Sequence, residues 1–232
     1  MARHPLAGLL PVQPDPQDRT GLLFVGGSVT AAAILEAYRH GIFPWTGAPP
    51  VPWCSPDPRA LLFPASVKVR RSLAKRIRNS GFTVHFDRDL PAVIAACRDS
   101  PRPGQAGTWI TPNLEQAWGE LFEQGWAHSV EVFQGDARVG GLYGLSMGAA
   151  FFGESMFHTA RDASKVALVA LARRCAARGD HFIDCQAMTP HLERMGAEPV
   201  PRAMYLRMLA DAVAVASEPG RWADDAAPDT RG

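Results

Sequence analysis

Residues 128–188 constrain the fold most strongly. HSVEVF (128–133), ARVGGLYGLSM (137–147) and AAFFGESMF (149–157) read as three strands of an antiparallel meander, with Gly135-Asp136 as the first turn. DASKVALVALARRCAAR (162–178) then reads as a helix that is apolar nearly all round, and therefore buried. Asp162 is its candidate cap, Arg173, Arg174 and Arg178 suit its C-terminal dipole, and Gly179 stops it. HFIDCQAM (181–188) returns as a strand. A crossover helix of this length can bring its two flanking strands together in one sheet.

Upstream, TAAAILEAYRH (30–40) predicts a short helix capped by Thr30 and ended at Gly41. SVKVRRSLAKRIRNS (66–80) predicts an amphipathic helix with Val69, Leu73 and Ile77 inward. Arg70, Arg71, Lys75, Arg76 and Arg78 crowd its other side, and no acid lies between Ser66 and Phe86. Such a stretch suits a phosphate-facing surface as well as a merely solvated one. Further helices are expected over 89–98, 113–125 and 203–216, and the tail from Ser217 is expected to be mobile. Helices, antiparallel strands, a buried helix and a strand, in that order, imply an α+β layer fold.

The bulk numbers exclude several classes. The 232 residues allow one large domain, or one with a small appendage. Lys plus Arg is 24 against 23 for Asp plus Glu, which argues against a histone-like binder. No apolar run approaches the ~18 residues of a membrane span. Proline breaks the N-terminal apolar stretch too early for a signal peptide. Cys54, Cys97, Cys175 and Cys185 are scattered, which reads as reduced thiols in a cytoplasm and gives no zinc spacing.

Two acids stand out. In FGESMF (152–157), two-residue periodicity puts Phe152, Glu154 and Met156 on one side; in FIDCQ (182–186) it does the same for Phe182, Asp184 and Gln186. A carboxylate flanked by apolar strand residues is either paired, for instance with Arg161 or Lys165, or lines a pocket that needs it. Other motifs carry less. GLSMG (144–148) matches the G-x-S-x-G nucleophile pattern but is followed by strand-like sequence, not a helix. RVGGLYG (138–144) is no phosphate loop for the same reason. Cys185 reads as a small buried hydrophobe, and His128 and His158 as surface or satisfied residues that nothing pairs.

GIFPW (41–45), WCSPDPRA (53–60), GTWIT (107–111), GGLYG (140–144), FGESMF (152–157), ASK (163–165) and IDCQ (183–186) occur in one order. Together they resemble the leucyl/phenylalanyl-tRNA–protein transferase family, over about residues 20–215. The resemblance implies a bacterial cytoplasmic aminoacyltransferase of the N-degron pathway. Such an enzyme moves leucine, phenylalanine or methionine from tRNA onto proteins that begin with Arg or Lys. It implies a small N-terminal domain (1–62), a GNAT-like domain with a mostly antiparallel sheet (63–216) and a flexible tail (217–232). By motif, Asp184 and Gln186 match the catalytic pair and Glu154 the acidic pocket residue. Trp45 and Trp109 match the tryptophans near the tRNA's terminal adenosine, and Leu142, Phe151 and Met156 the aminoacyl pocket, where the family often has Met in place of Leu142. The basic stretch 66–80 corresponds to the tRNA-contacting surface.

That chemistry needs no ATP, metal or other cofactor, because an aminoacyl ester is already activated. The enzyme has to align the acceptor's α-amine with the ester. Asp184 could take the amine's proton or orient it through Gln186, or the proton could pass through the tRNA's ribose hydroxyl; an unperturbed Asp, pKa ~3.9, is a poor base. Glu154 is the candidate partner for the acceptor's Arg or Lys head. An acyl-CoA-dependent acyltransferase would want glycines before the long helix, and HTARDAS (158–164) has none. A non-catalytic tRNA-binding protein would leave Glu154 and Asp184 unexplained. A monomer is expected.

Overall fold

The computed structural model describes residues 4–12, 20–101 and 107–222. Four short strands, β1 (Leu9–Pro11), β2 (Leu22–Gly26), β3 (Phe43–Pro44) and β4 (Pro52–Cys54), form an antiparallel sheet in the order β1-β2-β4-β3. Seven more follow: β5 (Arg59–Leu62), β6 (Phe82–Phe86), β7 (Ala127–Gln134), β8 (Ala137–Met147), β9 (Ala150–His158), β10 (Phe182–Asp184) and β11 (Glu198–Val200). They form a second sheet in the order β11-β5-β10-β9-β8-β7-β6. The expected meander is β7-β8-β9, and the crossover through the long helix makes β9 and β10 a parallel pair in an otherwise antiparallel sheet.

The helices are α1 (Ala31–Arg39), α2 (Arg71–Asn79), α3 (Leu90–Asp99), α4 (Pro112–Glu123), α5 (Ala163–Arg178), α6 (Pro190–Met195) and α7 (Arg202–Ala214). One face of the larger sheet buries Tyr143, Leu145, Phe152 and Phe182 with residues of α1, α3, α4 and α7. The other buries Val130, Leu142, Phe151 and Ile183 with residues of α2, α5 and α6. This is the α+β layering expected. The first cluster also takes in Phe43, Trp53 and Cys54 from the smaller sheet, so one core runs through both sheets. β5 pairs in the larger sheet, so the two sheets part between Cys54 and Arg59.

GGLYG has a packing reason. A Cβ on Gly140 would stand 2.6 Å from the Cβ of Ala163, so the close seat of α5 on β8 requires glycine there. Gly148, at φ +57, makes the tight β8–β9 turn, and β9 rather than a helix follows Ser146. That removes the nucleophile-elbow reading.

Several expectations need correction. The basic helix starts at Arg71, with residues 67–70 outside it, so Val69 is not a helical position. β6, β5, β11 and α6 were not legible as elements. Asp162 precedes α5 in a left-handed conformation and makes no side-chain cap hydrogen bond; its carboxylate takes Lys165 instead. The strand expected over 181–188 ends at Asp184. His128 does not go unpaired: it is buried, with Nδ1 2.7 Å from Asp87. The part of the tail over 217–222 is not loose. Trp222 is buried and stacks on His128 with ring centroids 3.9 Å apart. Residues 223–232 lie outside the described residues.

Candidate functional site

β9 and β10 pair over Ala150–Phe152 and Phe182–Asp184. Just beyond that pairing a cleft of about 720 Å³ opens, lined on one side by Gly153–Met156 and on the other by Cys185–Ala187. A pocket at the C-terminal ends of parallel strands is where α/β architectures commonly place ligands.

β9 has an extra residue here. Gly153 pairs with Gly144 and Ser155 pairs with Tyr143, so Glu154 is the unpaired residue of a β-bulge. The bulge overturns the expected two-residue pattern. Phe152 packs in the cluster with α1, while Met156, beyond the bulge, packs in the cluster with α5. Glu154 is thereby turned towards α1. A Cβ on Gly144 would stand 2.1 Å from the Phe152 carbonyl, so the bulge also needs glycine on the facing strand.

Three side chains converge at the bulge. The Tyr38 hydroxyl, from α1, donates to Glu154 Oε2. Gln186 Nε2 donates to the same oxygen at 3.1 Å and to the Tyr38 oxygen at 3.3 Å. Lost hydration pushes the Glu154 carboxyl up to about 7; the hydrogen bonds from Tyr38 and Gln186 work against that rise, and nearby Asp184 adds to it. Burial and the neighbouring Glu154 carboxylate raise the Tyr38 phenol, so it remains a donor.

Asp184 sits behind this trio, not in the cleft, and is 0% exposed. Its partner is neither Arg161 nor Lys165, both of which face Asp162. Instead Arg59 grips it with two prongs at 2.8 Å. Tyr205 donates to Oδ2 at 2.7 Å and the Gln186 backbone N–H to Oδ1 at 2.8 Å. Arg59 in turn donates to the Gly41 carbonyl at 3.2 Å and lies over the rings of Phe43 and Tyr205. Burial is the strongest influence and disfavours its charge, but Asp184, Tyr205 and Tyr38 together more than offset it and raise its pKa. Gln186 has φ +62, left-handed backbone that a non-glycine residue adopts only when held there. The Asp184–Gln186 hydrogen bond is the local hold. Gln186 therefore does not share a strand face with Asp184, yet the kink aims its amide at Glu154.

Trp45, Trp109, Leu142 and Met156 line the cleft with Glu154 and Gln186. Trp45 is 40% exposed at the rim. Phe151 does not line it: it is fully buried, its ring 5.7 Å from Trp222. Leu168 and Leu171 of α5 and Ile183 complete the apolar wall. Cys185 is half-buried on that wall, not in the core, and burial pushes its thiol pKa up, which makes it a poor nucleophile. The exposed side of α2 carries Arg71, Lys75 and Arg78, with Arg76 partly covered and Arg70 exposed at its N-cap. Sequence reasoning missed Tyr38, Arg59 and Tyr205. Arg59 alone had left a signal, an arginine inside a proline-rich motif. Among the described residues there is no His/Cys/Asp/Glu group able to hold a metal, and no helix long and apolar enough to cross a membrane.

Residues 61–210 match the model of the leucyl/phenylalanyl-tRNA protein transferase family, and residues 27–57 match that of its N-terminal domain. A leucyl/phenylalanyl-tRNA–protein transferase of Thiobacillus denitrificans is 49% identical over 216 residues, 93% of this chain and 94% of that one. One of Chromohalobacter salexigens is 51% identical over 213 residues, 91% of this chain and 82% of that one. Among solved structures, a GCN5-related N-acetyltransferase from Kribbella flavida covers 74% of this chain and 60% of that one at 14% identity, with a TM-score of 0.37, too low to carry an argument. The family models and the relatives together establish that this chain belongs to the leucyl/phenylalanyl-tRNA–protein transferase family.

Proposed function

We propose a division of labour in the cleft for the reaction of this family, transfer of leucine or phenylalanine from aminoacyl-tRNA to the N-terminal Arg or Lys of a protein. The observation that carries it is the bulge. It sets one carboxylate, Glu154, beside an apolar slot with a Gln amide alongside. Glu154 receives the cationic head of the acceptor's first residue. Leu142 and Met156, backed by Leu168 and Leu171, receive the aminoacyl side chain. Such a slot discriminates modestly, since a methylene is worth ~1–3 kcal/mol, and admits methionine as well as leucine and phenylalanine. Trp45 and Trp109 stack the terminal adenine, worth ~1–3 kcal/mol for a base.

The acceptor's α-amine attacks the ester carbonyl; a C–N bond forms, the ester C–O bond breaks, and the tRNA leaves as its ribose hydroxyl. The donor end of the Gln186 amide is committed to Glu154 and Tyr38, so its carbonyl is the end that accepts an N–H from the incoming amine. Asp184 acts as a positioning residue. Its oxygens are occupied by Arg59, Tyr205 and the Gln186 N–H, which leaves it no route to the amine's proton. The proton then passes through the tRNA's own ribose hydroxyl, and alignment supplies most of the acceleration, ~7–11 kcal/mol in well-oriented systems. The basic face of α2 holds tRNA phosphates. In this reading the chain works as a monomer in the bacterial cytoplasm, within the N-degron pathway.

The test is direct. Purified protein is incubated with labelled Leu-tRNA and an Arg-initiated peptide, without CoA. Label in the peptide supports the reading; none, with an intact donor and a folded protein, refutes it. Glu154→Gln should impair use of the peptide more than binding of aminoacyl-tRNA, and equal losses would remove Glu154 from the acceptor site.

A further inference from the structure

A second cavity, of about 660 Å³, adjoins the cleft and shares the side chains of Met156 and His191 with it. Its charged lining is Arg161, Asp162 and Lys165, with His158 and His191. The carboxylate is already engaged, 2.6 Å from Lys165 Nζ and 3.7 Å from Arg161 Nε. Two cations against one anion leave the cavity positive. Arg76 of α2 is close enough to help hold the Asp162 carboxyl below its usual range, after Lys165 and Arg161. The basic face of α2 and this cavity are therefore neighbours.

His191 adds a second observation. Its Nε2 is shut off from solvent and has no hydrogen-bond partner among the described residues. Burial, then Lys165 and Arg194, keeps the ring towards its neutral form. A neutral ring adds no charge to the cavity, and its shut-off Nε2 offers the cavity no donor, so the positive character there belongs to Arg161 and Lys165. A peptide backbone has little use for Arg161 and Lys165, whereas a phosphodiester has use for both.

We propose that this second cavity holds a phosphate of the tRNA's 3′-terminal strand, with Arg161 and Lys165 as donors. The inference rests on the transferase reading of the cleft. The aminoacyl adenosine occupies the cleft, its own 5′-phosphate passes the Met156–His191 wall, and the strand continues past Arg76 onto α2. The contact is made by substrate in its ground state as well as in reaction, so it acts through KM more than through kcat.

The experiment compares two donors in the full chain: 3′-O-phenylalanyl adenosine, and the same compound carrying a 5′-phosphate. The unaltered protein should prefer the phosphorylated donor about tenfold or more in kcat/KM, as hydrogen bonds to a charged group imply. Arg161→Gln with Lys165→Gln should bring the ratio close to one, mainly through KM. Asp162→Asn opens the same ion pairs without removing a cation, so it should keep the preference. The proposal is overturned by a ratio near one in the unaltered protein, by a preference that survives Arg161→Gln with Lys165→Gln, or by Asp162→Asn abolishing it equally. Absence of transfer from either donor in the unaltered protein overturns the transferase reading and this inference together.

Discussion

Arg59 and Asp184 meet in a two-pronged ion pair, Nε to Oδ1 and Nη2 to Oδ2, each 2.8 Å. They come from neighbouring strands β5 and β10, and neither is more than 1% exposed. The pair ties the proline-rich segment after the smaller sheet to the strand end that carries Gln186. Breaking it from one side strands a buried charge, which costs about 3–5 kcal/mol. Asp184→Asn should therefore lower the urea midpoint, and Tyr205→Phe should lower it less, its stability cost being about 1.5–3 kcal/mol for one hydrogen bond to a charged group. In the folded fraction of Asp184→Asn, the acid limb of the rate–pH profile should stay in place. Disappearance of that limb would make Asp184 the titrating base after all.

Glu154 gives the second prediction. Its carboxyl titrates near 7 in the folded protein, above the ordinary carboxylate value. It is neutral below that pH and charged above it. Affinity for a cationic acceptor head should thus rise between about pH 6 and 8. The Tyr38 hydroxyl holds the value down, so Tyr38→Phe should move the rise to higher pH, and Glu154→Gln should abolish it. The acceptor's own amine titrates in the same range. The measurement therefore uses binding of an arginine analogue that lacks the α-amine. A flat profile in the unaltered protein would remove Glu154 from cation recognition.

A third prediction concerns α2. Arg71 and Arg78 are exposed on a helix anchored by the buried Leu73 and Ile77. Replacing both arginines with Gln should leave the fold intact and weaken tRNA binding. The slope of log affinity against log salt should flatten by about 0.7–0.9 for each phosphate that is no longer neutralised. An unchanged slope would mean that the face is solvated and nothing more.

What was legible in the sequence follows from what sequence periodicity can carry. β7-β8-β9, α5 and its Gly179 stop stood out because each has its own pattern and punctuation. β5 and β6 did not, being short runs whose partners are remote in sequence. The functional errors trace to two local irregularities. A bulge at Glu154 shifts the face assignment of Met156, and a left-handed kink takes Gln186 off its strand. Neither changes composition, so period-two reasoning could not see them. Asp184 was singled out as either paired or lining a pocket; it is paired, and because Arg59 lies 125 residues away only the fold brings that partner in.

The end of the described chain gives the last prediction. Trp222 is 5% exposed, its ring nearly parallel to His128 and within 6.0 Å of Phe86 and Phe151 by centroid, with Arg174 and Arg178 over it. Its backbone N–H donates to Asp87 Oδ2, the oxygen that also pairs with His128 Nδ1. A polar, proline-containing segment was expected to be loose, but one aromatic ring is enough to dock it. Removing such a ring from a packed site costs about 3–5 kcal/mol, which for a chain of this size lowers the melting temperature by on the order of 10 °C. Trp222 does not line the cleft, so kcat/KM for Trp222→Ala well below its melting point should stay within about twofold of the parent. Thermal melting followed by circular dichroism checks the first half, and transfer assays on the same sample check the second. A melting temperature unchanged in Trp222→Ala would show that the segment contributes nothing to the core it touches.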